Sequence, residues 1–194
     1  MESRGPSRIA GHAKAAGINS AMEILGQLIG PVELSRLVES LPPEQADVIR
    51  RPPVATSWIP LAITVPLYDA ILERAFGGNP ARMIELGRLQ FRDDLSTVYR
   101  FFIRVATPSF VAGRIGAMWQ TYTRDCGTVT MVTSEPTWGE LRFEGYPAPN
   151  PPIWYYVQGF IIGALEMTGV ADVQVAIVQG GPGNTFCQYR ISWK

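Results

Sequence analysis

Residues 151–169 read PPIWYYVQGFIIGALEMTG, and residues 170–194 read VADVQVAIVQGGPGNTFCQYRISWK. In the first stretch, apolar residues recur at the spacing of a helix from Ile153 to Leu165. In the second, apolar and polar residues alternate on both sides of a Gly-rich turn at 180–184, which is typical of a β-hairpin. The chain is therefore predicted to end as helix, strand, turn and strand.

A second hairpin is predicted before this helix, because residues 128–133 and 139–144 also carry strand patterns. Helical spacing fills most of the chain from Ser20 to Tyr122, with 97–105 as one of its segments. We therefore expect an α+β fold, in which a helical N-terminal half is followed by a β-β-α-β-β antiparallel four-stranded sheet.

The length of 194 residues is typical of one domain. Residues 1–18 are small, basic and rich in Gly, and we expect them to form a flexible N-terminal arm that carries His12 without a ligand. Residues 19–194 are expected to form the single α+β domain.

Composition and charge argue against several classes of protein. The 17 Lys and Arg residues balance 17 Asp and Glu residues, which disfavours electrostatic binding to nucleic acid or to an anionic membrane. The apolar stretches 58–72 and 153–168 contain Pro, polar or charged residues and are too short to span a membrane. The sequence begins without a secretory leader pattern, so we expect a cytoplasmic protein.

The common motifs of catalysis and metal binding are missing from the sequence. The turn at 180–185 lacks the Lys and Ser or Thr of a phosphate-binding loop, and it precedes a strand. Two Cys and one His do not make a four-ligand zinc site, and a His in the arm leaves the body of the chain without the usual proton shuttle. No metal site and no catalytic residue are predicted, and an enzyme is the least favoured class.

Three short motifs carry a family resemblance: WIP at 58–60, FGGNP at 76–80 and YRISW at 189–193. In their order and spacing, the chain resembles, over residues 20–194, a myxobacterial paralogous family of uncharacterised proteins. That family is distantly similar in architecture to the haem–nitric-oxide-binding, vinyl-reductase and TRAPP-type domains. The resemblance implies a fold that serves as a ligand pocket or as a platform for dimerisation.

The resemblance also implies where a haem-binding member would carry its ligands, with a proximal His on a helix before the sheet. Residues 97–126 contain no His, and the Tyr-x-Ser-x-Arg signature that holds haem propionates in those relatives is not matched at 122–124. We therefore expect no cofactor and, in particular, no haem bound through an axial His.

A pocket between the helical half and the sheet is expected to be lined by Trp58, Arg114, Trp119, Tyr122 and Cys126. An Arg beside aromatic rings suits a small apolar or anionic ligand. Cys187 is a weaker candidate, since the related domains often carry a Cys at that place on the last strand. The alternative is that the aromatic and Cys residues are core and that Arg114 pairs with a surface acid. A disulfide or a reactive thiol is also left open.

The helix at 153–168 is apolar on nearly every side, so something besides the sheet must cover it. Either the N-terminal helices or a second subunit can do so. For a homodimer, the expected interface is Trp154, Tyr155, Gly159, Ile162 and Gly163, in which the two Gly residues allow close backbone approach. The favoured function is a non-enzymatic small-molecule-binding or sensory domain, and a dimerisation module without ligand is the alternative.

Overall fold

The computed structural model describes residues 9–94 and 106–194, so residues 1–8 of the predicted arm and the predicted helical segment 97–105 lie outside the described residues. The elements, in chain order, are β1 (His12–Lys14), α1 (Ala15–Ser40), α2 (Pro43–Arg50), β2 (Trp58–Pro60), α3 (Leu61–Ala70), a π-helical turn (Ile71–Ala75), α4 (Pro80–Asp94), α5 (Pro108–Tyr122), β3 (Thr123–Arg124), β4 (Thr128–Ser134), β5 (Trp138–Glu144), α6 (Pro151–Glu166), β6 (Gln174–Gly180) and β7 (Cys187–Ser192). The predicted α+β class, with its helical N-terminal half, is confirmed.

The C-terminal half forms one antiparallel four-stranded sheet in the order β4-β5-β7-β6, as two hairpins around one helix require. The strands alternate between a buried and a wetter face, because side chains along a strand point to opposite sides. On the buried face, Leu141 lies opposite Tyr189 and Phe143 lies opposite Cys187. On the outer face, the Glu140 carboxylate accepts hydrogen bonds from Arg190 and Gln188, so this face is polar.

Helix α6 is buried between this sheet and α4, which explains why its sequence is apolar on nearly every side. Its N-terminus is capped by Asn150, whose side-chain oxygen accepts a hydrogen bond from the backbone N–H of Ile153 at 3.1 Å. Trp154, on the sheet side, is fully buried. The N-terminal helices therefore cover the face of α6 that the sheet leaves free.

Three glycines bring the backbones of α4 and α6 into direct contact. A Cβ at Gly163 would lie 2.7 Å from the carbonyl oxygen of Arg88, and a Cβ at Gly159 would collide with the carbonyl of Ile84. From the other helix, a Cβ at Gly87 would collide with the carbonyl of Tyr156. Each of these three positions needs a residue without a side chain because the opposing backbone occupies that space.

A second, three-stranded antiparallel sheet in the order β2-β1-β3 was not predicted from the sequence. In it, His12 pairs with both Pro60 and Arg124. For residues 12–18 the prediction of a flexible arm is therefore corrected, since residues 12–14 form the central strand and Ala15 and Ile18 are core residues of α1. A strand of three residues is too short to show alternation, and its partners are far away in sequence.

The end of the chain gives a test of the last strand. Trp193 follows β7, is 7% exposed and donates its backbone N–H to the carbonyl of Thr137 at 3.0 Å. Replacing Trp193 by Ala is expected to lower the free energy of unfolding by about 3–5 kcal/mol, because a buried ring is removed without refilling. Urea unfolding followed by circular dichroism measures this, and a variant as stable as the parent would contradict the burial of Trp193.

Candidate functional site

A cavity of about 90 Å³ lies where the helical half meets the inner face of the four-stranded sheet. Its wall is built from α1, α3, α4, α5 and α6, from β1 and β3 of the small sheet, and from Phe143 of β5 and Tyr146 after it. Most of the wall is apolar or aromatic, and the polar or charged side chains that line it are Lys14, Thr64, Tyr68, Gln90, Tyr122, Thr123, Tyr146 and Tyr156. An apolar interior space with a few polar groups is the usual form of a small-molecule site.

The centre of the polar edge is Gln90 on α4, which is only 1% exposed. Its amide nitrogen donates to the carbonyl of Gly17 at 2.8 Å, and its amide oxygen accepts a hydrogen bond from the hydroxyl of Tyr156. The Tyr156 ring packs on that of Tyr68, with 5.2 Å between the ring centroids. This network joins α1, α3, α4 and α6 around the cavity, and buried networks of this kind fix the arrangement of the elements that share them.

Two of the predicted pocket residues, Trp119 and Tyr122, line the cavity. The indole N–H of Trp119 donates to the backbone carbonyl of Cys126 at 3.2 Å, and its ring meets that of Phe143 edge-on at 5.3 Å. The Tyr122 ring lies 6.1 Å from that of Phe160 on α6. Helix α5 therefore contributes an aromatic side to the cavity.

The predicted cysteines are both buried, unpaired thiols rather than a disulfide. Cys126 lies beside the cavity and donates its S–H to the carbonyls of Arg124 at 3.1 Å and His12 at 3.5 Å. Burial raises its pKa, and burial also raises the pKa of Cys187, on β7, to about 12. Cys187 lies in the sheet core and does not line the cavity.

Neither thiol is expected to react with the disulfide reagent DTNB at pH 8 while the protein is folded, because the protonated thiol is not the nucleophile. Both should react after denaturation, and rapid labelling of the folded parent would contradict the burial.

The stability of the protein is also expected to depend on pH through Cys187. Its thiol ionises at a lower pH in the unfolded chain than in the folded protein, so the free energy of unfolding should fall as the pH rises from about 9 towards 12. The Cys187→Ala variant should lose that part of the pH dependence.

The other two predicted pocket residues lie elsewhere. Arg114 is on the exposed side of α5, with its guanidinium 5.1 Å from the ring of Phe110, and it does not line the cavity. Trp58 lies on β2, outside the cavity, with the Lys14 ammonium 5.6 Å and the Arg124 guanidinium 4.4 Å from the centre of its ring. Sequence reasoning missed Lys14, because it assigned that residue to a flexible arm.

The predicted dimer residues lie within the fold of the single chain. Gly159 and Gly163 pack on α4 rather than on a second copy of the helix, and Trp154 is fully buried. Tyr155 and Ile162 are half-buried and pack against the two main core clusters of the same chain. Gly159 and Gly163 are therefore covered by α4 of the same chain and not by a second subunit. A homodimer stays a prediction.

Two further findings concern the described parts of the chain, 9–94 and 106–194. No group of three or more His, Cys, Asp or Glu side chains there could hold a metal ion. No helix there is long and apolar enough to cross a membrane.

The overall structure is similar to those of H-NOX proteins. The Fe(II) unliganded H-NOX protein from K. algicida matches with a TM-score of 0.69 at 9% identity, over 93% of this chain and 96% of that one. The H-NOX protein from S. oneidensis in the Fe(II)NO state matches with a TM-score of 0.68 at 13% identity, over 93% and 99%. A structure from work on haem redox potential and porphyrin distortion matches with a TM-score of 0.68 at 14% identity, over 93% and 95%. Neither a protein-family model nor a curated protein matches the sequence.

At these identities the likeness establishes a shared fold, and it confirms the predicted resemblance to the haem–nitric-oxide-binding architecture. It also corrects one prediction. The expectation that the chain takes no cofactor is wrong on this comparison, because the neighbours are haem-binding proteins and the cofactor that they point to is haem.

Proposed function

We propose that the chain is a small-molecule-binding sensory domain whose ligand occupies the cavity between helices and sheet. The observation that carries this proposal is an apolar cavity in contact with both halves of the fold, with the Gln90–Tyr156 pair as its polar edge. A ligand there touches α1, α3, α5, α6 and the sheet together, so its binding energy can favour one packing of these elements over another. The shared fold of the H-NOX neighbours supports the same function.

Haem, to which those neighbours point, can be compared with the residues at the cavity. Tyr68, Tyr122 and Tyr156 present phenol oxygens and Met118 a thioether, and both kinds of group ligate haem iron in other proteins. The volume of about 90 Å³ is well below the roughly 300–1,000 Å³ of pockets that hold drug-sized ligands. The donors are thus of a suitable kind, but in this packing the cavity does not fit a porphyrin. Binding haem requires the elements that line the cavity to move apart.

The proposal is tested by native mass spectrometry of the purified protein, followed by a titration with hemin read by absorbance. We expect a non-covalent mass increment that is lost on denaturation, at one ligand per chain. A Soret band shifted in a one-to-one complex identifies that ligand as haem. A chain that carries no ligand, and that neither hemin nor a panel of small molecules stabilises, would falsify the proposal.

Filling the cavity provides a variant for this experiment. Val157 is 6% exposed and lines the cavity, so Val157→Phe should abolish ligand binding while the circular dichroism stays native. Val132→Phe is the matched control, because Val132 is 52% exposed on β4 and makes no contribution to the cavity. Equal binding by both variants would place the ligand elsewhere. The same mass spectra report whether the protein is a homodimer. A dimerisation module without ligand stays a prediction, and so does a cytoplasmic location.

A further inference from the structure

We propose that the outer face of the small sheet is a docking surface for an acidic segment of a partner protein. The side chains on this face are those of His12, Lys14, Trp58, Pro60 and Arg124. The inference rests on the proposed function, since a sensory domain needs a partner that responds to its ligand. It is carried by the charge of this face and by the place of the small sheet between this face and the cavity.

The pairing of the strands puts these side chains on one side of the sheet. Lys14 is paired with Trp58, and His12 is paired with both Pro60 and Arg124. Paired residues, and residues two apart along a strand, point to the same side. Pro60 and Arg124 are exposed and the other three residues are half-buried, so a partner can reach this side.

The opposite side of the same sheet faces the interior. It carries Ala13 and Thr123, which line the cavity, and Ile59, which is 5% exposed. Lys14 also borders the cavity, but its ammonium lies at the Trp58 ring on the outer face. A ligand and a partner therefore contact the two sides of one thin layer, an arrangement in which each can change the affinity for the other.

The outer face holds two cations at one ring. The Lys14 ammonium lies 5.6 Å, and the Arg124 guanidinium 4.4 Å, from the centre of the Trp58 ring. Across 9–94 and 106–194, no other aromatic ring holds two cations, and neither of these cations forms an ion pair with a carboxylate. Asp125, the acid that follows β3, forms no ion pair within these ranges either. The two positive charges are therefore left for an anion from outside the described chain.

A similar pair on the four-stranded sheet shows the contrast. There the Arg190 guanidinium lies 5.4 Å from the centre of the Trp138 ring. The Glu140 carboxylate accepts hydrogen bonds from two nitrogens of the same guanidinium, at 2.9 Å and 2.7 Å. Arg190 thus has its carboxylate within the chain, and a carboxylate from a partner would complete Arg124 in the same way.

The amount of charge decides the kind of partner. Recruitment to an anionic membrane uses clusters of about 4–8 Lys or Arg residues, and a protein that binds DNA commonly contacts about 6–10 phosphates. Two cations on a chain with a net charge of zero are too few for either. A short protein segment with one carboxylate for each cation matches them, and Trp and Arg are the residues most enriched among those that carry the binding energy of protein interfaces.

The turn before β2 adds an exposed apolar group at the same end of the sheet. Val54 is 73% exposed, and its carbonyl accepts a hydrogen bond from the backbone N–H of Ser57 at 2.8 Å. The carbonyl of Ser57 in turn accepts from the N–H of Ala15 at 2.9 Å, which ties the turn to the Lys14–Trp58 pair. The segment that fits this surface therefore carries an apolar side chain besides its carboxylates.

The test titrates the full chain with two peptides and follows the backbone amide signals by NMR. The acidic peptide is built from Glu, Leu and Gly, and the matched peptide has Gln at every Glu. We expect the acidic peptide to shift the amide signals of β1, β2 and β3 and the Gln peptide to leave them unchanged. Added salt should weaken the binding, because exposed charges are screened.

Substitutions assign the binding to the two cations. Arg124→Gln and Lys14→Gln should each weaken the binding of the acidic peptide about two- to fivefold, the range of an exposed ion pair. Together they should reduce it to the level of the Gln peptide, whereas Arg124→Lys should keep most of it. Arg190→Gln is the matched control and should leave the affinity unchanged, since Glu140 already pairs with that guanidinium. Circular dichroism checks that each variant is folded.

The outcomes separate this inference from the proposed function. Equal binding of the two peptides, or signal shifts confined to other elements, would overturn the docking surface. Tighter binding of anionic vesicles or of single-stranded DNA than of the acidic peptide would overturn it as well. A chain that binds a small molecule but not the acidic peptide loses only the docking surface. A chain that binds the peptide through Lys14 and Arg124 but takes no small molecule keeps the docking surface and loses the sensory function.

Discussion

Replacing Gly159 by Ala is expected to destabilise the protein by about 3 kcal/mol or more, or to prevent folding. The added methyl group has to occupy the position of the Ile84 carbonyl, which belongs to the backbone of α4 and cannot rotate away. Overpacking a core with one methylene typically costs about 1–3 kcal/mol, and more when the neighbouring atoms are rigid. Urea unfolding followed by circular dichroism at 222 nm measures the loss.

Gly113 on α5 supplies the matched control for this substitution. It is also inside a helix, but it is exposed and no atom lies within 4 Å of the position of its Cβ. Gly113→Ala is therefore expected to stabilise the protein by about 0.5–1 kcal/mol, the usual preference of a helix interior for Ala. If Gly159→Ala instead stays fully stable and turns a dimer into a monomer, the glycine faces a second subunit and the packing described here is wrong.

The second large effect is expected for Trp154→Ala, at about 3–5 kcal/mol. Trp154 is fully buried between α6 and the sheet, and its ring lies 5.5 Å from that of Tyr146 and 6.2 Å from that of Phe143. Its indole N–H donates to the carbonyl of Asn184 at 3.0 Å. The variant loses the ring packing and leaves that carbonyl without its partner, so both effects lower the free energy of unfolding.

Trp138 on β5 is a Trp in the same sheet with a different environment. It is half-buried on the outer face, where the Arg190 guanidinium lies 5.4 Å from its ring centre. Trp138→Ala should cost about 1 kcal/mol or less, in the range of a cation–π contact at an exposed site. Similar losses for Trp138→Ala and Trp154→Ala would mean that α6 does not pack on the sheet as described.

The part of the fold that could be predicted from the sequence is the part with local periodicity. The alternation of Val175 and Ile177, and of Tyr189 and Ile191, predicted β6 and β7 because each strand buries one face. The helical spacing from Ile153 predicted α6, which begins two residues earlier with Pro151. Such patterns come from burial of one face of one element, so they can be read without knowledge of what covers it.

The features that could not be predicted depend on residues that are distant in sequence. Gly159 and Gly163 indicate close backbone approach, but the sequence does not say whether the sheet, α4 or a second subunit approaches them. Arg114 and Trp119 were both predicted to line the pocket, yet the two side chains lie on different sides of α5. Lys14 reaches the cavity only because β1 pairs with β2 and β3. The sequence around Lys14 has no periodicity that predicts this pairing.

The central position of β1 has a kinetic consequence. The strand is held by three residue pairs with β2 and two with β3, and it closes a loop of more than a hundred residues, since His12 and the Cys126 thiol that contacts it are 114 positions apart. The entropy lost on closing so long a loop is repaid only after the intervening helices have packed. We therefore expect β1 to dock last during folding and to detach first in native-state hydrogen exchange. Because Ala13 and Lys14 form part of the cavity wall, detachment of this short strand is expected to open the cavity while α4 and α6 stay together.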